Sequence, residues 1–341
     1  MNTNNFAWRR WLPIFLGIGL GFGGCKSGPA EGCRSDAAED AAAVSMRVQH
    51  LEPALFQLKT PAQAQQFMDA NPAFARYYLQ RQPATEKDLK SSLAQLATNP
   101  ALQKVGRETA AAFPDSAALR HDLREMFRRV HYYFPDFRVP PTVTYVSGFL
   151  AKDIYVNDSL LVLSLDWFIG PKAGKRPDLP QYMLRRYTPA GLMPLLAQDV
   201  ASKYNKHELT ANAMLDAMVH AGKSLYFASL VLPCTPDSVL LGYTRREMLG
   251  LDSNEGRVWG HFLEKNLLYN TTPFLLQKYV GERPNVPEID KTCPGRVGQW
   301  VGLQIIRKYV AEHPDVTLGR LMAEKNAQRI LNDSHYRPKK L

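Results

Sequence analysis

The sequence predicts an α+β protein, mostly helical with one small β-sheet. Three observations predict it. Apolar residues recur at every third or fourth position through "TEKDLKSSLAQLATNP" and "SAALRHDLREMFRRVHYYF", a spacing that gathers them on one helical face. The pattern then switches to "PPTVTYVSGF" and "DSLLVLSLDWFIG", rich in β-branched, aromatic and leucine residues with turn formers between them, as strands of a sheet are. Helical spacing returns after "KAGKRPDLPQYMLRRYTP", a proline-rich, positively charged stretch that reads as an exposed irregular loop.

Residues 1–24 read as an export signal. Arg9 and Arg10 precede "LPIFLGIGLGF", an apolar run of about eleven residues, too short to cross the ~30 Å hydrocarbon layer as a helix. The twin arginines lack the rest of a folded-export signal and serve as an ordinary n-region. "FGGC" then resembles a bacterial lipobox, with Phe22 where Leu is commoner. Gly23 and Gly24 let an extended chain enter a peptidase cleft, and the thiol of Cys25 is the group that takes diacylglycerol. Each buried methylene contributes about 0.8 kcal/mol, and three acyl chains acting together hold a protein on a membrane. The alternative is a plain signal peptide with an incidental cysteine.

Residues 25–43 carry "KSGPAEGCRSDAAEDAAA", with almost nothing to bury, and read as a flexible tether. Residues 44–341 form a single helix-rich globular domain. Thr60 is placed to cap a helix beginning at Pro61. After the sheet, helices are expected over about Pro189 to Tyr204, Leu209 to Leu230, Thr244 to Leu249, Glu255 to Tyr269, Val297 to His313 and Thr317 to Leu331.

The formal charge is +10, yet Lys and Arg are scattered among acids, so a weak attraction to anionic surfaces follows. An acidic tether, export and the lack of a basic cluster exclude nucleic acid as a partner. Export also permits disulfides: Cys234 in "LPCTPDS" and Cys293 in "KTCPGR" are candidates to pair, the alternative being two unpaired thiols. Cys33, close to the anchor, reads as incidental.

The common catalytic patterns fail. A zinc peptidase helix needs two histidines four apart with a glutamate beside the first; "HELTA" at His207 to Ala211 has the first two members and then an alanine, which has no donor. Thr210 or Asn212 reads instead as a helix cap. The serine elbow is missing, Ser147 before Gly148 being only half of it, and so are the phosphate-binding glycine loops.

The stretches "DWFIGPKAG", "LPQYMLRRYTPAGLMPLLAQD", "AMLDAMVHAGKSLYF", "TPDSVLLGYTRREM", "NLLYNTT", "CPGRVGQWVGLQIIRKYV" and "DVTLGRLMAEKNAQRILNDSHYRP" together resemble the gliding motility lipoprotein family GldB of Bacteroidetes. The resemblance covers about Val44 to Pro338. It implies a membrane lipoprotein needed for gliding and type IX protein secretion, with no established enzymatic activity and no cofactor. Its expected partners are the membrane, through acylated Cys25, and other gliding and secretion proteins of the envelope, with the domain extracytoplasmic, in the periplasm.

A more distant likeness, to zincin-like predicted metallopeptidases, implies a zincin-like architecture lacking an intact HExxH. In that register Gln198, Asp199 and Ser202 of "QDVAS" occupy the motif, and Ala221 stands where the third ligand is expected. Gln198 offers a weak neutral oxygen, Ser202 keeps its proton near pH 7, and Ala221 offers nothing, so a divalent ion finds no convergent donors. His220 is one residue from the ligand slot, about 100° around the helix; it reads as a packed side chain, with a contact in the vacated cleft as the alternative. Ala213, Ala217, Ala221 and Ser224 form a small-residue stripe for close approach of another element.

Candidate partner contacts are Arg185, Arg186, Trp167 and His220, with Lys172, Lys175, Arg176, Tyr182 and Tyr187 nearby, Arg and aromatics being favoured at hot spots. The alternatives are a merely solvated loop or a rest on lipid headgroups. Two further functional alternatives are a hydrolase and a peptide-binding module that adds a strand at "DSLLVLSLD".

Overall fold

A computed structural model describes residues 43–206 and 213–339. The export signal, Cys25, Cys33, all but the last residue of the tether, and the 207–212 stretch with its "HELT" lie outside the described residues.

The architecture is α+β and mostly helical, with one mixed sheet. Its strands are β1 (Val48–His50), β2 (Thr142–Tyr145), β3 (Ile154–Asn157) and β4 (Leu160–Ser164), in the order β1-β2-β4-β3. β1 runs parallel to β2 and β2 to β4, while β3 and β4 form an antiparallel hairpin. The two expected strand regions are β2 and β4. β1, the three residues "VQH", is too short for any alternation to show. Strand addition at "DSLLVLSLD" is corrected: β4 is paired on both sides, and the open edge on that side of the sheet belongs to β3.

β4 is buried along its whole length, which is why "LLVL" is continuously apolar. Its alternation divides the core in two. Leu160 and Val162, with Val143 and Tyr145 of β2, meet the amino-terminal helices α1 (Glu52–Leu55), α2 (Pro61–Ala70), α3 (Glu86–Thr98) and α4 (Pro100–Ala112). Leu161 and Leu163, with Ile154 of β3, join the larger core of α5 (Ser116–Tyr133) and the carboxy-terminal helices. At the end of β2, buried Asp166 accepts hydrogen bonds from the backbone N–H groups of Ser147 and Phe149, both at 3.0 Å, and from the Ser147 hydroxyl. That carboxylate holds a turn in which Gly148 and Phe149 both have positive φ, a conformation Phe149 adopts only when its surroundings enforce it.

The helices begin where local chemistry lets them. Thr60 and Gln63 form a capping box ahead of Pro61, as expected. Asp115 accepts from the backbone of Ala117 and Ala118, and Thr188 accepts from Gly191. The remaining helices are α6 (Gln181–Leu184), α7 (Pro189–Ser202), α8 (Met214–Val231), α9 (Asp237–Leu241), α10 (Arg245–Ser253), α11 (Glu255–Glu264), α12 (Pro273–Tyr279), α13 (Val297–Glu312), α14 (Leu318–Ala323) and α15 (Ala327–Ser334). Several bounds are corrected. The stretch expected as one helix to Leu331 is two, because Glu324 turns extended and Asn326 caps a fresh start by accepting from the Arg329 N–H. The loop expected before Pro189 contains α6, and α9 and α12 are short helices whose few turns carry too little periodicity to be read. Among the described residues no helix is long and apolar enough to cross a membrane.

α8 is the central helix, with Met214, Met218, Phe227, Ala228 and Val231 inaccessible to solvent. Its close approach to α13 runs through glycines rather than the alanine stripe: a Cβ on Gly222 would overlap the backbone of Gly302, and one on Gly302 would overlap the carbonyl of Met218. Trp300 and Ile305 of α13 are buried in the same core.

Candidate functional site

The sheet edge and the last turn of α7 enclose a cavity of about 290 Å³. β3 and its turn supply Val156, Asn157 and Asp158, and α7 supplies Asp199 and Ser202. Of the four anticipated motif positions, the structure brings these last two together. Ser202 spends its hydroxyl on the Asp199 carbonyl at 2.6 Å. Gln198 points elsewhere, its amide donating to the carbonyls of Pro194 at 3.1 Å and Leu240 at 3.4 Å. Ala221 lies on α8 and does not line the cavity.

Lys203, at the carboxyl end of α7, pairs with Asp158 of the β3–β4 turn and lies 5.8 Å from the centre of the Phe137 ring. An ammonium thus stands at the cavity wall. The Asp199 carboxyl is pushed up to about 7, first by the protein crowded around it and then by the neighbouring charge of Asp153, with Lys152 opposing. The residue as a whole keeps an exposed surface, so the group is reachable from solvent and shared between its two protonation states near neutral pH. Among the described residues, no three His, Cys, Asp or Glu side chains converge as a metal would need.

His220 is half-buried on α8, and its carbonyl accepts from the Asn205 side chain at 2.7 Å. The unforeseen residue is Lys223, three positions on. It is 1 % exposed, and its ammonium donates to the carbonyls of Lys206 at 2.8 Å, Met322 at 3.1 Å and Glu324 at 2.9 Å. Burial lowers it to about 8. A lysine in a run of small residues is the signal available, but nothing nearby in sequence marks three carbonyls as its partners.

The expected docking set separates into different environments. Trp167 is half-buried and packs on Phe149 and Tyr187 at ring distances of 6.1 and 5.5 Å. Arg186 is largely buried and bonds Glu282 at 2.7 Å; Glu282 lies 3.6 Å from the buried Arg296, which stacks over Tyr243. These contacts are internal, and both side chains are only partly exposed. Arg185 remains accessible, bridged to Glu247 at 2.8 Å. It lines a groove of about 660 Å³ between α10, α11 and the segment 284–294. The groove wall holds Arg185, Arg246, Arg257 and Lys291 against Glu247 and Asp290, and Leu249 is 58 % exposed.

The pairing considered for Cys234 and Cys293 is corrected. Cys293 is a buried free thiol, pinned by the bond from the Val286 N–H to its carbonyl and by its own N–H to the Asp290 carbonyl; burial pushes it up to about 12. Cys234 is disulfide-bonded at an exposed position between α8 and α9.

A family model described as "Gliding motility protein GldB" matches residues 33–338. No curated protein and no solved structure matches.

Proposed function

This chain belongs to the gliding motility protein GldB family, and from that premise we propose that it is a lipid-anchored envelope protein with a non-catalytic, assembling role in gliding and type IX secretion. Its anchor is Cys25, its domain faces the periplasm, and the fold is a zincin-like frame whose metal positions have been put to structural use. The observation that carries this reading is how those positions are spent: Gln198 on the Leu240 carbonyl, Ser202 on the Asp199 carbonyl, with the Lys203 to Asp158 pair beside them. A cation entering there meets an ammonium and side chains already engaged. The accessible docking surface is the cationic groove beside Arg185, whose surplus positive charge suits an acidic partner.

The test replaces Asp199 and Ser202 together by alanine in cells that depend on this protein. Unchanged secretion and motility are expected, together with far less than one zinc per purified chain. Stoichiometric zinc, or loss of function with the folded protein still present, overturns the proposal.

A second reading has one observation in its favour. A carboxyl pushed to about 7 beside a second carboxylate, at the mouth of a cavity under a sheet edge, has the properties of a general acid or base in a hydrolase. Hydrolysis of a peptide library by the wild type and not by Asp199→Asn would establish it.

A further inference from the structure

In the groove beside Arg185, both acids are engaged by their own turns. Glu247 accepts from the Thr244 N–H at 2.7 Å and from its hydroxyl at 2.9 Å, at the start of α10, and takes the Arg185 guanidinium at 2.8 Å. Asp290 accepts from the Thr292 N–H at 2.8 Å and from its hydroxyl at 2.7 Å, and pairs with Arg257 at 3.2 Å. Arg246 and Lys291 line the same groove, both exposed, and neither has an ion pair among the described residues. They are left for an incoming carboxylate.

Another stretch of the wall offers backbone. Asn285 bridges Pro294 in antiparallel fashion, flanked by hydrogen bonds from the Val286 N–H to the Cys293 carbonyl at 2.8 Å and from the Gly295 N–H to the Pro284 carbonyl at 3.3 Å. In a pair so flanked, the two facing residues turn their own N–H and C=O away from each other. Asn285 is exposed, lines the groove, and its backbone N–H has no backbone acceptor among the described residues. It is a short open sheet edge; Pro294, across the bridge, has no N–H to offer. We propose that the groove takes an extended, acidic peptide segment of a partner protein. One peptide residue pairs backbone to backbone with Asn285, the peptide carboxylates reach Arg246 and Lys291, and an apolar side chain covers Leu249, which is 58 % exposed. A folded acidic surface would meet the cations but leave the Asn285 amide and carbonyl without partners, whereas an extended segment satisfies both. The inference rests on the reading of this groove as the docking surface.

The experiment uses the full chain purified in detergent and the fluorescein-labelled peptide Glu-Leu-Glu-Leu-Glu-amide, with binding followed by anisotropy at low salt. Saturable binding is expected. Arg246→Gln with Lys291→Gln should weaken it about tenfold, by removing the charge pairs, while the melting temperature stays that of the wild type because both positions are exposed. N-methylation along the peptide backbone should weaken it about fivefold, by removing the hydrogen bond to the Asn285 carbonyl. No saturable binding overturns the proposal. So does binding that either change leaves at wild-type strength, since charge alone or backbone alone then holds the peptide. Capture of an envelope partner by the wild type and not by the Gln variant, with the peptide unbound, overturns the extended segment and leaves the groove standing as a dock for a folded acidic surface. Failure of both peptide binding and partner capture removes the groove altogether.

Discussion

The ammonium of Lys223, in the middle of α8, stands 2.9 Å from the backbone carbonyl of Glu324 at the far end of the chain. The same ammonium reaches the carbonyls of Lys206 and Met322, so one side chain ties two distant backbone segments, at 206 and at 322–324, to the central helix. Replacing Lys223 by Met keeps most of its length and leaves three carbonyls, one of them fully buried, without their donor. Hydrogen bonds to a charged donor are worth about 1.5–3 kcal/mol each and are not additive, so a net loss of ~3 kcal/mol is expected. Urea denaturation of the soluble domain measures it; a loss under ~1 kcal/mol would show the carbonyls finding water instead.

The contact between α8 and α13 has no room for a methyl group at Gly302, where it would run into the Met218 carbonyl. Gly302→Ala should cost about 3 kcal/mol or more, since overpacking against backbone cannot be relieved by a rotamer change. Gly250→Ala is the control, because nothing lies within 4 Å of a Cβ there; that substitution should be neutral or slightly stabilising in its helix. A thermal melt of both proteins decides the point.

Asp199 gives the domain a pH dependence of known sign. Its carboxyl is raised from 3.8 to about 7 in the folded protein, so the native state binds more protons than the unfolded chain between those values, and stability falls as pH climbs through that window. A carboxamide at this position stays neutral throughout, so Asp199→Asn should lack the fall and be the more stable protein at pH 8. Because the residue is exposed, solvent screening reduces the gain to the order of 1 kcal/mol. Denaturation curves at pH 4 and pH 8 should show the gap opening only at the higher pH.

Charge reversals distinguish the docking groove from the interior. Arg246→Glu with Lys291→Glu should leave the melting temperature nearly unchanged, because both residues line an open groove, yet reduce capture of an acidic envelope partner. Arg186→Glu should instead unfold the domain, since it sets a carboxylate against Glu282 in a largely buried cluster. Breaking such a pair costs about 3–5 kcal/mol. Equal partner capture by the groove variant and the wild type would remove the groove from consideration.

The α+β class is readable because its signals are local: the β-branched and leucine content of "LLVLS" between turn formers marks a strand, and the spacing of Leu119, Leu123, Phe127 and Val130 marks a helix. Thr60 is legible for the same reason, since a cap and its helix are three residues apart. What cannot be read is set by residues distant in sequence. Arg186 looks like an exposed basic residue until Glu282 is brought to it. Lys223 looks incidental until three carbonyls surround it. Gln198 and Ser202 stand out in the sequence through a distant likeness alone, and their partners, one on α9 and one a turn back on α7, depend on packing that no spacing rule contains.

β1 lies beside β2 with His50 opposite Thr144, ninety-four positions later. For a chain threaded amino end first through a membrane, this order sets a timetable. The first strand has no neighbour to pair with until well over a hundred residues have emerged, and closing so long a loop is among the slower events in folding. In such a chain the amino-terminal helices would wait half-made until β2 arrives, and a product cut short before Thr142 would leave β1 with no partner.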